Sequence, residues 1–445
     1  MQLKRVLTLR TVVATSAGLT LASSSFVAAV QVAGYVLGDS AWIAILSGGV
    51  LCLLAAACFS ELNGLLPSAA GIRLYFSRAF NNQLALTVSL LYMLVVIVGV
   101  VGAESYVLSR VITEFYPQAW PFPLIVMLLL LVTGMNLRGI RIAGLFQDVI
   151  TYGLIISLTA FSLIAFNKTG FQLSTPFSPG SAPNLISAIA VGVFLFVGFE
   201  WVTPLVEEVT QMKQISKGMM IALGILSVTY AVFTVSMTAI VPKETLTATA
   251  APQMVFARSV LGGAGVAWMG LVSLAASVTT FNAGLISVSR FMYASAREQV
   301  LPAIFSRISM NFFTPWVSII TIFFVAVGVA GITLLTHRYL ILVELAAAME
   351  SIVYALAGLA VISLRRRMPD QPRPYRIKWG SAIPVLCVVV FTALAAALLF
   401  SDRLALVTLL AAFVVCLIYV NTVVPYLKKQ YESHKRRPRR RPSRT

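Results

Sequence analysis

Long apolar runs recur along almost the whole chain, and they decide its fold class. They fall roughly at 12–37, 41–66, 84–112, 122–137, 142–166, 184–205, 216–241, 264–293, 316–335, 339–364, 380–400 and 404–427. A helix needs about 20 apolar residues to cross the hydrocarbon core. The spacing therefore predicts an all-α integral membrane protein with about twelve transmembrane helices, the fourth (122–137) being short. Of the 445 residues 59% are hydrophobic and only 11% charged, against about 25% charged in soluble domains. Soluble, disordered, collagen-like and disulfide-scaffold folds are excluded. Alternating apolar and polar strands are missing, which excludes an outer-membrane barrel. Lys4, Arg5 and Arg10 before the first run imitate a secretory signal, but eleven further runs point to an uncleaved first helix.

Charge placement gives the orientation. The net charge is +18. With the N-terminus inside, 27 of the 33 Lys and Arg fall on inner segments and six on outer ones. Positive charge is retained on the cytoplasmic side, so both termini are expected in the cytoplasm of a multi-pass plasma-membrane protein (an inner-membrane protein in a Gram-negative cell). The expected organisation is one transmembrane domain, 1–427, followed by a basic, disordered cytoplasmic tail, 428–445. Anionic lipid is the natural partner of such a tail, rather than nucleic acid. Oligomeric state stays open.

Several chemistries are excluded by what the chain lacks. Cys52, Cys58, Cys387 and Cys416 sit in apolar runs and read as small buried hydrophobes. Two histidines cannot build a histidine-rich metal site. No Gly-Lys-Ser or Gly-Lys-Thr occurs, so no phosphate-binding loop could power a pump. Catalytic residues, metal ligands and cofactors are not expected. Transport, if it occurs, runs on a gradient or by exchange.

Two runs carry helix-breaking features at mid-depth. Run one contains Gly18 and then Ala22-Ser23-Ser24-Ser25-Phe26; run six contains Gly192, Gly198-Phe199-Glu200-Trp201 and Pro204. Proline removes a backbone donor and disfavours helix at the preceding residue, and serines compete for backbone groups. Irregular backbone at membrane depth survives only where it lines a cavity or lies buried in protein. Matching interruptions in two halves of a chain mark a transporter binding site. The alternative is a pair of kinked helices packed through small residues.

Further motifs then stand in order along the chain. Ser289-Arg290, Tyr293, Ala296-Arg297-Glu298 and Leu301-Pro302 match S-R-x-x-Y-A-x-A-R-D/E-x-x-L-P, followed by Thr314-Pro315. Glu61-Leu62, Pro67, Gly71 and Tyr75 follow run two; Gly198-Phe199-Glu200 and Glu207-Glu208-Val209 mark run six; Leu364-Arg365-Arg366-Arg367 and Arg373-Pro374-Tyr375-Arg376 follow run ten. Together they resemble an amino acid–polyamine–organocation (APC) superfamily permease with the LeuT-type inverted repeat. The resemblance implies a 5+5 arrangement: repeat one at about 12–166, repeat two at about 184–364, and two extra helices at about 380–427. It implies a secondary active transporter or exchanger of amino acids working by alternating access, with substrate between broken helices one and six. The substrate-binding residues would be Ala22, Ser23, Ser24, Ser25, Phe26, Gly198, Phe199, Glu200 and Trp201. A polyamine or other organic-amine transporter is the alternative, and a non-transporting sensor on a transporter scaffold the rival of another class.

The chain departs from that family at two positions. Ala22-Ser23-Ser24-Ser25-Phe26 replaces G-S-G-I-F, and the lost glycines narrow the space for an α-carboxylate. Leu154 stands seven residues after Gln147 where many members carry lysine, so no ammonium there can replace a coupling sodium. Coupling and gating candidates are Glu350, Glu104, Glu207, Glu208, Arg290, Ser277 and Thr280. Glu200 either accepts substrate donors or tethers unwound backbone. Glu350 is a proton carrier or a structural carboxylate. Glu344 and Glu104 are expected near the outer face, and Asp148 is expected to pair with Arg141. Glu207 and Glu208 would form an inner gate with Arg290 or Arg297. Phe194, Phe196, Phe199 and Trp201 are lid candidates. Ser273, Ser277, Thr279 and Thr280 either complete a sodium site or bond across helices, and a proton is favoured over sodium.

Overall fold

A computed structural model describes residues 3–35, 40–170 and 182–436. Fifteen α-helices account for most of them: α1 (Leu9–Thr20), α2 (Ser23–Tyr35), α3 (Ala41–Leu65), α4 (Ile72–Ala79), α5 (Asn82–Phe115), α6 (Phe122–Leu137), α7 (Ile140–Thr169), α8 (Ala182–Phe194), α9 (Lys213–Ile240), α10 (Lys243–Thr247), α11 (Pro252–Arg297), α12 (Trp316–Thr336), α13 (Leu340–Arg367), α14 (Ala382–Ser401) and α15 (Arg403–Arg436). Ten helices are long and apolar enough to cross a membrane, or eleven when α1 and α2, bent by 60° at their junction, count as one span. The sixteen-residue α6 is apolar but short, as its run length predicted.

Burial sorts the helices into centre and periphery. The apolar window of α5 is 72% buried within the protein, whereas that of α15 is 22% buried. Every residue of α1 from Thr11 to Thr20 is buried. It packs against α7, α9 and α11, so the broken first span is the axis of the bundle. On α6, α14 and α15 large apolar side chains face outward, among them Leu131, Val389 and Ile418. That exposure suits lipid as the solvent, where an outward leucine carries no penalty.

Both described chain ends lie on one face. The amides of Val6 and Leu7 donate to the Glu208 carbonyl (2.8 and 2.9 Å), and Tyr419 on α15 donates to the Val300 carbonyl (3.0 Å). This face also carries the arginine-rich connections and is called the basic face below. Helix α15 runs to Arg436, so residues 428–436, expected to be disordered, are helical. Lys428, Lys429, Gln430 and Glu432 are good helix formers that extend an already packed helix, and proline is not met until Pro438. The remainder of the expected tail, 437–445, lies outside the described residues.

One carboxylate ties the basic face together. Glu61, at the end of α3 and 2% exposed, accepts from Arg365 Nε (2.8 Å) and Nη2 (2.6 Å) and from the Ile377 amide (3.0 Å). It thereby joins α3, α13 and the connection to α14. Removing one member of a buried pair strands the other charge and costs about 3–5 kcal/mol. Glu61→Ala is therefore expected to lower the thermal unfolding temperature in detergent by several degrees. An unchanged transition would show that this junction does not hold the bundle.

Candidate functional site

The chain breaks where sequence patterning placed the breaks, and side chains satisfy the backbone groups set free. Between α1 and α2, the Thr20 carbonyl accepts from Ser25 Oγ (2.8 Å) and from the Tyr230 hydroxyl of α9 (2.7 Å). The Gly18 carbonyl accepts from Thr280 Oγ1 (3.1 Å). The exposed amides of Ser23 and Ser24 at the start of α2 donate to Glu104 Oε1 (2.9 Å) and Oε2 (3.1 Å). Ser277 adds a third donor to Glu104 (2.6 Å). Glu104 is fully buried in α5 and caps the freed backbone at the start of α2.

The second break lies between α8 and a 3-10 helix, Phe199–Glu207, that contains Pro204. Gly198 turns the chain with φ +101°, a left-handed conformation that side-chain-bearing residues rarely adopt. A Cβ there would also press on Leu19 of α1, so the two breaks touch. Ser16 of α1 donates to the Phe199 carbonyl (2.9 Å) and links them directly.

Behind the second break sits a buried cluster of acids and phenols. The Tyr92 hydroxyl of α5 lies 2.6 Å from Glu350 Oε2 of α13 and also contacts Glu200 Oε1. Tyr354 donates to Glu200 Oε2 (2.7 Å). Glu200 and Glu350 are 0% and 1% exposed, and no ion pair among the described residues includes either. A phenol has one hydrogen to give. With both carboxyls on the Tyr92 oxygen, the second hydrogen bond needs a proton carried by a carboxyl. Tyr92 and Tyr354 escaped sequence analysis because their polarity matters only once α5, the broken span and α13 meet.

A chain of amides fills the space between α1, α6, α7 and α11. Asn136 donates to Asn282 (2.7 Å), Asn282 to Gln147 Oε1 (2.7 Å), and Gln147 Nε2 to the Ala14 carbonyl (3.3 Å). Thr151 also donates to the Ala14 carbonyl (3.1 Å) and meets Thr279 (3.0 Å). The α1 carbonyls of Ala14, Gly18 and Thr20 are thus covered by hydroxyl and amide donors. Ser273, Ser277, Thr279 and Thr280 all take part in contacts across helices. Among the described residues, no three His, Cys, Asp or Glu side chains gather into a metal-binding group.

Ion pairs close the basic face beneath the breaks. Arg290 Nε donates to Glu208 Oε2 (2.8 Å) with both side chains fully buried, and Arg297 pairs with Glu207 (2.9 Å). Arg73 on α4 pairs with Glu298. Burial pulls the Arg73 guanidinium down to about 10, which leaves it charged at neutral pH. Asp148 pairs with Arg10 (3.2 Å) and accepts from Thr11 (3.2 Å), not with Arg141, which is exposed. The side chains of Arg10 and Thr11 on α1 reach Asp148 across the contact between α1 and α7.

A cavity of about 30 Å³ lies between the breaks, room for about two waters. Thr20, Ala22, Ser24 and Ser25 line it from the first span, Phe194 and Val197 from the sixth, with Gly99 and Ala103 of α5 and Val343 and Ala346 of α13 opposite. Of the expected binding residues, Ala22, Ser24 and Ser25 reach it. Ser23 turns to the Ser273 carbonyl (2.6 Å), and Phe26 packs on Phe233 with ring centres 5.3 Å apart. Gly198 shapes the turn behind the cavity. Phe199 and Trp201 are buried against Tyr354 (5.4 Å) and Tyr92 (4.9 Å) and face the acid cluster, as Glu200 does. Gly99, Ala103, Val343 and Ala346 carry no chemical signal, and only packing shows that they are walls.

A family model described as amino acid permease matches residues 7–430. The methylthioribose transporter of Bacillus subtilis (strain 168) is 25% identical over 392 residues, covering 83% of each protein. Human Asc-type amino acid transporter 1 is 26% identical over 372 residues, covering 79% of this chain and 69% of that protein. Among solved structures, a manganese transporter of Eremococcus coleocola superposes with a TM-score of 0.62 at 13% identity, covering 96% of this chain and 98% of that one. At that identity the likeness is one of fold.

The acid cluster predicts a rank order. Tyr92→Phe and Tyr354→Phe keep the ring contacts and delete only hydroxyls. A buried acceptor left without a donor costs about 1–3 kcal/mol. Tyr92 meets two carboxyls and Tyr354 one, so Tyr92→Phe should destabilise more in thermal unfolding. The reverse order would show that Tyr92 does not bridge the pair.

Proposed function

The chain belongs to the amino acid permease family, and from that membership we propose that this multi-pass membrane transporter works by alternating access around its two broken spans. It acts as a secondary active transporter or exchanger of small organic solutes of the amino acid and amine kind. The observation that carries this reading is the meeting of both breaks at one cavity, over a basic face closed by the Arg290–Glu208 pair. A cavity of about 30 Å³ is too small for such a solute, so binding requires the walls to separate, as a cycle between opposite openings demands. Relatives named for amino acids support an amino acid substrate. The relative named for methylthioribose, a thiosugar, supports a wider range.

In this reading the short α6 and the bent α1–α2 pair both count as spans, giving twelve. Repeat one takes about 12–166, repeat two about 184–364, and the extra helices about 380–427. The basic face is cytoplasmic, following the 27 to 6 division of Lys and Arg, in a plasma or inner membrane. Ala22, Ser24 and Ser25 contact substrate. Glu207, Glu208 and Arg290 form the inner gate.

The coupling ion in this account is the proton. Glu200 and Glu350 share Tyr92, and hydrogen counting leaves one proton to be held by the pair. Glu200 belongs to the broken span and Glu350 to α13, so relative motion of the two would separate the pair and release that proton. Sodium is disfavoured because Gln147, Thr151 and Thr280 donate to the Ala14 and Gly18 carbonyls of α1.

Purified protein in liposomes is expected to take up or exchange a labelled amino acid or amine. Binding without flux across a broad panel would favour a sensor instead. Glutamine can supply the hydrogen that a protonated carboxyl gives but cannot cycle it. Glu350→Gln should therefore retain exchange and lose the acceleration of uptake by an inward proton gradient. Replacing sodium by potassium should leave wild-type uptake unchanged. Wild-type pH response in Glu350→Gln, or loss of uptake without sodium, would overturn proton coupling through this pair.

A further inference from the structure

The carboxylate site at the first break is occupied by the protein itself. A helix start with free amides attracts anions, because consecutive N–H groups converge there and the helix dipole favours negative charge. At the start of α2 the amides of Ser23 and Ser24 meet one oxygen each of a single carboxylate, that of Glu104 (2.9 and 3.1 Å). The Ser277 hydroxyl completes the cradle (2.6 Å). That is the two-point arrangement an incoming α-carboxylate would need, and Glu104 is fully buried in it. The neighbouring residue Ala103 lines the cavity between the breaks, so Glu104 follows directly on a cavity wall residue of α5.

From this geometry we infer that Glu104 is a specificity-determining residue that excludes carboxylates, and that the substrate is an organic amine without a carboxyl group. This rests on the transport reading above and narrows its substrate. Two negative groups cannot occupy one pair of amides, and a second carboxylate beside Glu104 meets like charge in a low-dielectric interior. The rest of the site offers an anion no compensation. The cavity is lined by hydroxyls of Thr20, Ser24 and Ser25 and by apolar walls, with no Lys, Arg or His. Behind the breaks, Glu104, Glu200 and Glu350 take part in no ion pair among the described residues. Acids without a basic partner on the elements that frame the cavity match a positive charge on the solute.

Decarboxylation pairs test this directly: leucine against isoamylamine, phenylalanine against phenethylamine, ornithine against putrescine, arginine against agmatine. Binding to the full-length protein is read by thermal shift and by competition, and flux in liposomes separately. In the wild type the amine should bind at least tenfold tighter than its amino acid in the pairs that bind. Glu104→Ala should reverse or erase that preference. Glu104→Gln, which keeps an oxygen for the amides and serves if the alanine variant does not fold, should weaken it. Tighter binding of amino acids by the wild type, or an unchanged preference in both variants, overturns the inference while leaving transport intact. Amine binding without flux overturns the transport reading and leaves the carboxylate exclusion standing. No binding by any pair overturns both.

Discussion

Hydrocarbon offers no water to a broken helix, and that constraint organises the centre of this protein. Each amide and carbonyl freed at a break must find a partner inside the protein. Here the partners come from different spans: Glu104 from α5, Thr280 from α11, Tyr230 from α9, and Ser16 of α1 for the Phe199 carbonyl. The breaks are therefore the points through which the spans are joined. A movement of one half-helix must exchange these partners, so such bonds can hold a small number of discrete arrangements.

Charge is distributed in two layers with opposite logic. On the basic face, acids are matched with arginines: Glu61 with Arg365 and Arg373, Glu208 with Arg290, Glu207 with Arg297. The buried pairs, Glu208–Arg290 and Glu61–Arg365, contribute little net stability, yet breaking one is costly. They suit a seal that opens only when all its members move together. At mid-depth, Glu104, Glu200 and Glu350 have no basic partner among the described residues and rely on amides, hydroxyls and phenols. Charge there is managed by hydrogen bonds and protons, which an approaching cationic solute or a change of solvation can alter.

Much of this was legible in the sequence, for physical reasons. Run length fixes the helices because the bilayer sets their minimum, and the short 122–137 run reappears as the sixteen-residue α6. The breaks were legible because Gly198, Pro204 and the Ser23–Ser25 cluster are poor helix interiors. The contacts of Glu208 with Arg290 and of Glu207 with Arg297 followed from motif resemblance, whereas the Glu61–Arg365 and Arg73–Glu298 pairs did not. What escaped was three-dimensional adjacency. Asp148 meets Arg10, far away in sequence, rather than Arg141 nearby. Tyr92 and Tyr354 look like ordinary aromatic residues until they converge on Glu200. That Glu104 caps the Ser23 and Ser24 amides was not legible either, because α5 and the first break are far apart in sequence. Helix α15 outran its expected end because a packed helix carries good helix formers along with it.

The central claim is that the cavity between the two breaks opens alternately to opposite sides of the membrane. Ser24 lines it, and all four native cysteines are buried. With those cysteines replaced, Ser24→Cys can be probed in oriented vesicles by a membrane-impermeant thiol reagent applied to one side at a time. Alternating access predicts modification from either side, with substrate shifting the balance between the two rates. Modification from one side only, under every substrate and pH condition, would contradict the account.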